Sequence, residues 1–439
     1  MSKRNLLLLF LLLCPFAGAR SADDVPKLYF KSIGIQQGLS HQMVNAIVKD
    51  PQGFIWIGTA EGLNRYDGTE FHVYRHEPGN PCSLSTSWIN CLYITRDGRL
   101  FIGTEKGVNV YNAQKENFER ISAENDSRNL LGNLRIRCFC EDSKGYLWIG
   151  TLDGLIRFDR RNGLINFYKL NHYDRDKMHN EVRSLCEDSA GRLWIGTFDG
   201  LYCRETESGV FKSVPLKKAP AEGNCLISGL HIQQEDPHTL YIAATGGLRV
   251  FDTETGGERH YHTANSGIAS NDVRDVTRYD AKHVLAATSS GLSVFDIPSG
   301  GFTNFANSIT DPVSLPTQIV RCLFQDDNGL VWLGTNYGVA CCNSHRRPID
   351  VHYINDTDAE GHTTRETITD IAVLPGEIWI GTNNGLMCYS PDMRLKRHFT
   401  TKNSLLPHNN IKRILTDRSG IMWIGTNNGV VYLDKNRTT

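Results

Sequence analysis

Six residues recur at a near-constant distance along the chain: Asn45, Asn90, Arg137, Arg183, Arg274 and Arg321, separated by 45, 47, 46, 91 and 47 residues. Four guanidiniums and two carboxamides gathered in one place would make a donor-rich surface. Planar guanidinium forks hydrogen-bond sugar hydroxyls and carboxylates in fixed geometry. The bland use of the same groups is to bridge neighbouring structural units through carbonyls and acids, and it is the more economical one, since polar rings are common in repeat architectures. Trp88 precedes Asn90 by two, while Asp153, Asp199 and Tyr337 occupy one recurrent turn, so these four join the candidate ligand-binding set. Variable residues on a constant scaffold suit recognition.

Nothing comparable points to catalysis. There is no Gly-x-Ser-x-Gly elbow, His-Glu-x-x-His or Walker loop. The fifteen histidines share no spacing. Cys138-x-Cys140 and Cys341-Cys342 have no second pair or histidine at a metal-ligand offset. The residues therefore imply no catalytic site, no metal and no cofactor.

The candidate residues are positioned by a repeat. Trp56-Ile57-Gly58-Thr59 returns as Phe101-Ile102-Gly103-Thr104, Trp148-Ile149-Gly150-Thr151 and Trp194-Ile195-Gly196-Thr197. Two worn copies follow, Tyr241-Ile242-Ala243-Ala244 and Leu285-Ala286-Ala287-Thr288. The pattern then recovers at Trp332, Trp379 and Trp423. Intervals of 44 to 47 residues between lead positions are the length of a propeller blade. Within one copy, residues 44–49, 54–59, 63–66 and 71–74 read as strands separated by tight turns such as Asp50-Pro51-Gln52-Gly53. The lead tryptophan offers a face for packing between blades, and the glycine lets neighbouring backbone approach. The candidate residues lie eleven before each lead, at the start of the innermost strands, with Leu230 in the fifth copy. They should ring one mouth of a central channel.

The expected fold is all-β: a seven-bladed β-propeller of four-stranded blades over 28–345, followed by the first two blades of a second, incomplete propeller over 349–439. Residues 28–32 should supply the missing outer strand of the seventh blade, hiding the edges of the ring. Residues 349–353 should play that role for the second propeller. A single nine-bladed ring is the rival, outside the usual range of four to eight blades.

Lys3 and Arg4, the apolar run 6–13 and Ala17-Gly18-Ala19 read as a secretory signal over 1–22. No other run is long enough to span a membrane. Cys14 only loosely resembles a lipidation site, because Leu13 is large. Eleven of the twelve cysteines follow the signal, and most sit at recurrent repeat positions, which predicts free, buried thiols rather than bridges. With 40% hydrophobic and 22% charged residues and a net charge of -1, nothing global steers the chain to nucleic acid.

The strings Gly38-Leu39-Ser40-His41-Gln42-Met43-Val44-Asn45, Asp50-Pro51-Gln52-Gly53-Phe54-Ile55-Trp56-Ile57-Gly58-Thr59 and Gly62-Leu63-Asn64-Arg65-Tyr66-Asp67 resemble the two-component regulator propeller repeat. The resemblance implies the periplasmic sensor region of a hybrid two-component histidine kinase that detects an oligosaccharide and regulates polysaccharide-use genes. It leaves room for a homodimer in a full-length receptor. The kinase histidine box, ATP-binding glycine boxes, receiver and helix-turn-helix of that family are not in these 439 residues. The alternatives are a propeller enzyme (lyase or sugar oxidoreductase) and a protein-binding scaffold.

Overall fold

The computed structural model describes residues 28–170, 180–205, 209–217, 225–233, 235–311, 313–343, 354–357 and 363–434. The signal over 1–22 and the strand expected at 349–353 lie outside them. The described residues fall into two compact units, 28–308 with 313–343 and 309–311 with 354–434.

The first unit is a ring of seven four-stranded antiparallel sheets. Each is a meander running from the channel outward, as in Val44–Lys49, Ile55–Thr59, Gly62–Tyr66 and Phe71–Tyr74. The seventh sheet takes its outer strand from the other end of the chain: Lys31–Ile33 pairs antiparallel with Gly338–Asn343, Lys31 facing Cys341. The strand begins three residues later than residues 28–32 suggested. Leu28 and Phe30 are nevertheless buried, packed with Tyr279, Leu285 and Leu315, and Phe30 N–H donates to Val313 O at 2.8 Å. Their side chains do the anchoring while the following three residues do the pairing. The second unit holds one four-stranded blade, Ile368–Leu374 to Leu395–Phe399, one three-stranded blade, Ile411–Thr416 to Gly429–Leu433, and a two-stranded hairpin.

The repeat motif is a folding device. Asp142 turns the chain by accepting the backbone N–H groups of Lys144 and Tyr146 on one oxygen, while its other oxygen accepts Trp148 Nε1–H at 2.7 Å. Asp50 and Asp188 hold Trp56 and Trp194 in the same way. The motif threonine closes the next turn, Thr151 Oγ1 donating to Gly154 O at 2.8 Å. The motif glycine is where blades touch. A Cβ on Gly150 would fall on Cys138 Sγ and 2.8 Å from Val182 Cγ1 in the next blade. In the worn fifth blade Ala243 replaces that glycine, and the glycine reappears opposite it as Gly229.

No disulfide joins any of the eleven described cysteines. Burial raises the thiols of Cys186, Cys322 and Cys342 to about 12, which keeps them protonated and inert. Cys82 departs from the expectation of burial: it sits in an exposed loop outside the recurrent positions.

Two buried titratable groups on neighbouring inner strands oppose each other. Asp275 is enclosed and accepts N–H bonds from Val276 at 2.9 Å and from Leu323 of the next blade at 2.8 Å. Burial raises its carboxyl to about 6. His231 is lowered to about 4, first by burial and then by Arg278, with Glu235 opposing. A raised acid stabilises the folded form below its unfolded pKa, and this is lost as pH rises through 6. A depressed histidine contributes stability above its unfolded pKa, and this is lost as pH falls through 4. Each effect amounts to about 3 kcal/mol over the window between pH 4 and 6.5. The contributions of these two groups should therefore largely cancel there. Denaturant titrations at each pH should show Asp275→Asn losing stability on acidification and His231→Gln gaining it. Parallel slopes in the two variants would refute this assignment.

Candidate functional site

In every ring blade the inner strand skips one residue against its neighbour. Ile136 faces Thr151 and Cys138 faces Gly150, which leaves Arg137 in a bulge. Bulges re-aim a side chain and sharpen the local bend. The bulged residues around the ring are Asn45, Asn90, Arg137, Arg183, Ser228, Arg274 and Arg321. All seven line one cavity of about 730 Å³.

This corrects the fifth position, where the spacing suggested Leu230. Ile232 pairs with Leu240, eight residues on, whereas Glu141 pairs with Leu147, six on. The first turn of that blade is two residues longer, so counting back eleven from Tyr241 stops two residues short of Ser228. The residue two before each bulge faces the same side of the strand and builds a second tier. It includes Trp88, Arg135, Leu226 and Asp272 on the cavity wall, and Glu181, whose side chain is 2% exposed, beside it. Sequence reasoning missed Arg135, Glu181 and Asp272, although the same period read two residues earlier finds them. It also missed Glu105, which follows the second strand.

The wall is bound into pairs. Glu181 lies between two guanidiniums, 2.7 Å from Arg137 Nε and 3.3 Å from Arg183 Nε, tying the third blade to the fourth. Arg321 donates to Asn45 Oδ1 at 3.0 Å, and Asn45 Nδ2 donates to Ile89 O at 2.8 Å, so the seventh, first and second blades are linked in series. Arg135 pairs with Glu105, which also accepts from Asn90 at 3.0 Å. Arg274 donates twice to Asp272, at 2.9 and 3.1 Å. The bridging use of these residues is thus realised. Burial lowers the pKa of Arg137 and of Arg321, yet a guanidinium stays charged throughout the physiological range. Five arginines stand against Glu105, Asp272 and Glu181, which leaves the wall positive.

Trp88 stays 40% exposed on the wall, its Nε1–H donating to Asn90 Oδ1 at 3.0 Å. The other three candidates are not among the residues lining the cavity. Asp153 pairs with Lys169 at 3.2 Å, Asp199 caps its own turn through a bond from its N–H to Thr197 Oγ1, and Tyr337 is 65% exposed. Their place in the recurrent turn does not bring them to the wall. Among the described residues no cluster of three or more His, Cys, Asp or Glu could hold a metal ion, and no helix is long and apolar enough to cross a membrane.

Comparison with known proteins adds the following. The sequence pattern described as two component regulator propeller matches residues 38–61, 83–106, 129–153, 176–199, 314–337 and 405–428. A curated relative named histidine kinase P4, from Formosa agariphila, is 34% identical over 82 residues, which is 19% of this chain and 6% of that protein. The crystallised extracellular domain of a putative hybrid two component system from B. thetaiotaomicron is similar over 94% of this chain and 53% of its own, with 22% identity and a TM-score of 0.61. A second such domain from that organism gives 19% identity, 94% and 66% coverage and a TM-score of 0.59. Virginiamycin B lyase from Staphylococcus aureus shares 12% identity over 72% of this chain and 99% of its own, at a TM-score of 0.54. The chain spans about half the length of the first of these domains.

Proposed function

We propose, for a chain that carries two-component regulator propeller repeats, that its seven-bladed ring is the ligand-sensing module of an extracytoplasmic two-component receptor. In this reading the ring cavity binds an oligosaccharide, and a longer signalling protein converts occupancy into control of polysaccharide-use genes. The two blades of the second unit would open a second propeller: Leu415, Trp423 and Val430, which face an adjoining blade in the repeat, are all exposed here.

One observation carries the reading. The cavity is walled by the bulged residue of every ring blade, six of the seven being arginine or asparagine, and its carboxylates are all committed to arginine or asparagine. A glycosidase or lyase needs an acid and a base free to exchange protons with the substrate. Glu105, Glu181 and Asp272 are instead held as partners of cations, which suits recognition without turnover. The likeness to a lyase, at 12% identity, concerns the fold alone.

The test is a screen of the purified chain against an oligosaccharide library, followed by mass analysis of what is retained. Retention of one glycan class, recovered intact, is expected. Failure to retain any glycan would overturn the reading, and release of cleaved product would replace it with an enzyme.

A further inference from the structure

The wall offers hydrogen-bond donors and hardly any free acceptors. Asn45 Oδ1 accepts from Arg321 and Asn90 Oδ1 from Trp88. Glu105, Glu181 and Asp272 are ion-paired. The donors are not exhausted. Arg137 and Arg183 engage Glu181 through Nε, and among the described residues their terminal guanidinium nitrogens have no hydrogen-bond partner. Both side chains are partly open, at 23% and 32% exposure, on adjacent blades at one cavity. Glu181 lies within ion-pair distance of Nε on both, and one buried carboxylate does not neutralise two guanidiniums. Trp88, one blade back, adds an exposed aromatic face to the same cavity.

A neutral sugar presents hydroxyls that both donate and accept, so its donors would go unmet against this wall. A ligand that mainly accepts, through planar or tripodal oxyanions, would satisfy it. We infer that the ring cavity selects an acidic oligosaccharide, whose carboxylate or sulfate group sits between Arg137 and Arg183 and one of whose sugar rings lies against Trp88. This rests on the receptor reading and narrows its ligand class. Bidentate guanidinium contacts supply geometric specificity, the aromatic face packs against the apolar side of the sugar ring, and 730 Å³ lies within the range of about 300–1,000 Å³ usual for small-ligand clefts.

The experiment is calorimetric titration of the whole chain with oligogalacturonides, their methyl esters, chondroitin disaccharides with and without sulfate, and neutral galacto-oligosaccharides. Binding is expected for acidic members only, weakening as salt rises. Loss on methyl esterification identifies a carboxylate as the anchor, and loss on desulfation a sulfate ester. Arg137→Ala and Arg183→Ala should each weaken binding about ten-fold or more, the scale of one bidentate charged contact. Arg183→Lys, which keeps the charge and loses the fork, should fall between and guards against misfolding of the alanine variants. Arg394→Ala, 85% exposed in the second unit, should leave binding unchanged. Tight binding of a neutral glycan that ignores salt and both arginine substitutions would overturn the acidic assignment while leaving a glycan receptor. Binding of no glycan at all would remove the receptor reading with it.

Discussion

Trp148→Ala should lower the stability of the seven-bladed ring by about 3–5 kcal/mol, the usual range for deleting a fully buried aromatic. Its indole is 1% exposed and packs with Leu155, Val182, Leu185, Leu193 and Ile195, across the joint between the third and fourth blades. The Arg204 guanidinium lies 5.2 Å from the ring centroid. Truncation opens a void that sheets on both sides cannot collapse into, and it strips Asp142 Oδ2 of its indole donor. The equivalent Trp423 in the second unit is 40% exposed. Trp423→Ala should therefore cost about 1 kcal/mol or less, because little packing is lost. Calorimetric or urea unfolding of the two variants compares identical motif positions in one chain. Similar losses at both sites would show that the indole acts within its own blade and not between blades.

The second large effect is expected where the ring closes. A Cβ on Gly334 would fall on Cys322 Sγ and stand 2.7 Å from Val44 Cγ1 of the first blade. Gly334→Ala should thus destabilise the ring by about 1–3 kcal/mol, the range for overpacking a filled core. Part of the pressure comes from Val44 and part from Cys322 of the same blade, so adding Val44→Ala should return some of the loss, giving a coupling that two independent sites would not show. Gly425, at the same motif position in the last blade, has only Arg413 atoms at 3.9 Å or beyond within reach. Gly425→Ala should change stability by less than about 0.5 kcal/mol. A strictly additive double mutant, or equal losses at Gly334 and Gly425, would sink the view that this glycine exists for the neighbouring blade.

These contrasts separate what sequence periodicity carries from what it does not. The period of 44 to 47 residues, the Trp-Ile-Gly-Thr core and the turn aspartates determined the blade, because each acts within a span of ten residues and recurs. Strand order inside a meander follows from short turns. The closing strand was legible too, since an apolar segment lay unclaimed before the first blade. Its register was not: Leu28 and Phe30 are held by side-chain packing, and the backbone pairing starts at Lys31.

Most of the bulged residues that line the ring cavity were legible in the sequence. Counting back from each lead residue found Asn45, Asn90, Arg137, Arg183, Arg274 and Arg321, because a fixed turn length preserves the offset. It failed in the fifth blade, where two extra turn residues move the bulge to Ser228. Sequence placed Asp153, Asp199 and Tyr337 at the same mouth, but only the ring decides which residues reach the wall. Above all, spacing cannot say who pairs with whom. That Glu181 pairs with Arg137 and Arg183, and that Arg321 reaches Asn45 across 276 residues of chain, follows from closing seven twisted sheets on one axis. Closure brings inner strands together at their bulges, and only then do charges distant in sequence become neighbours.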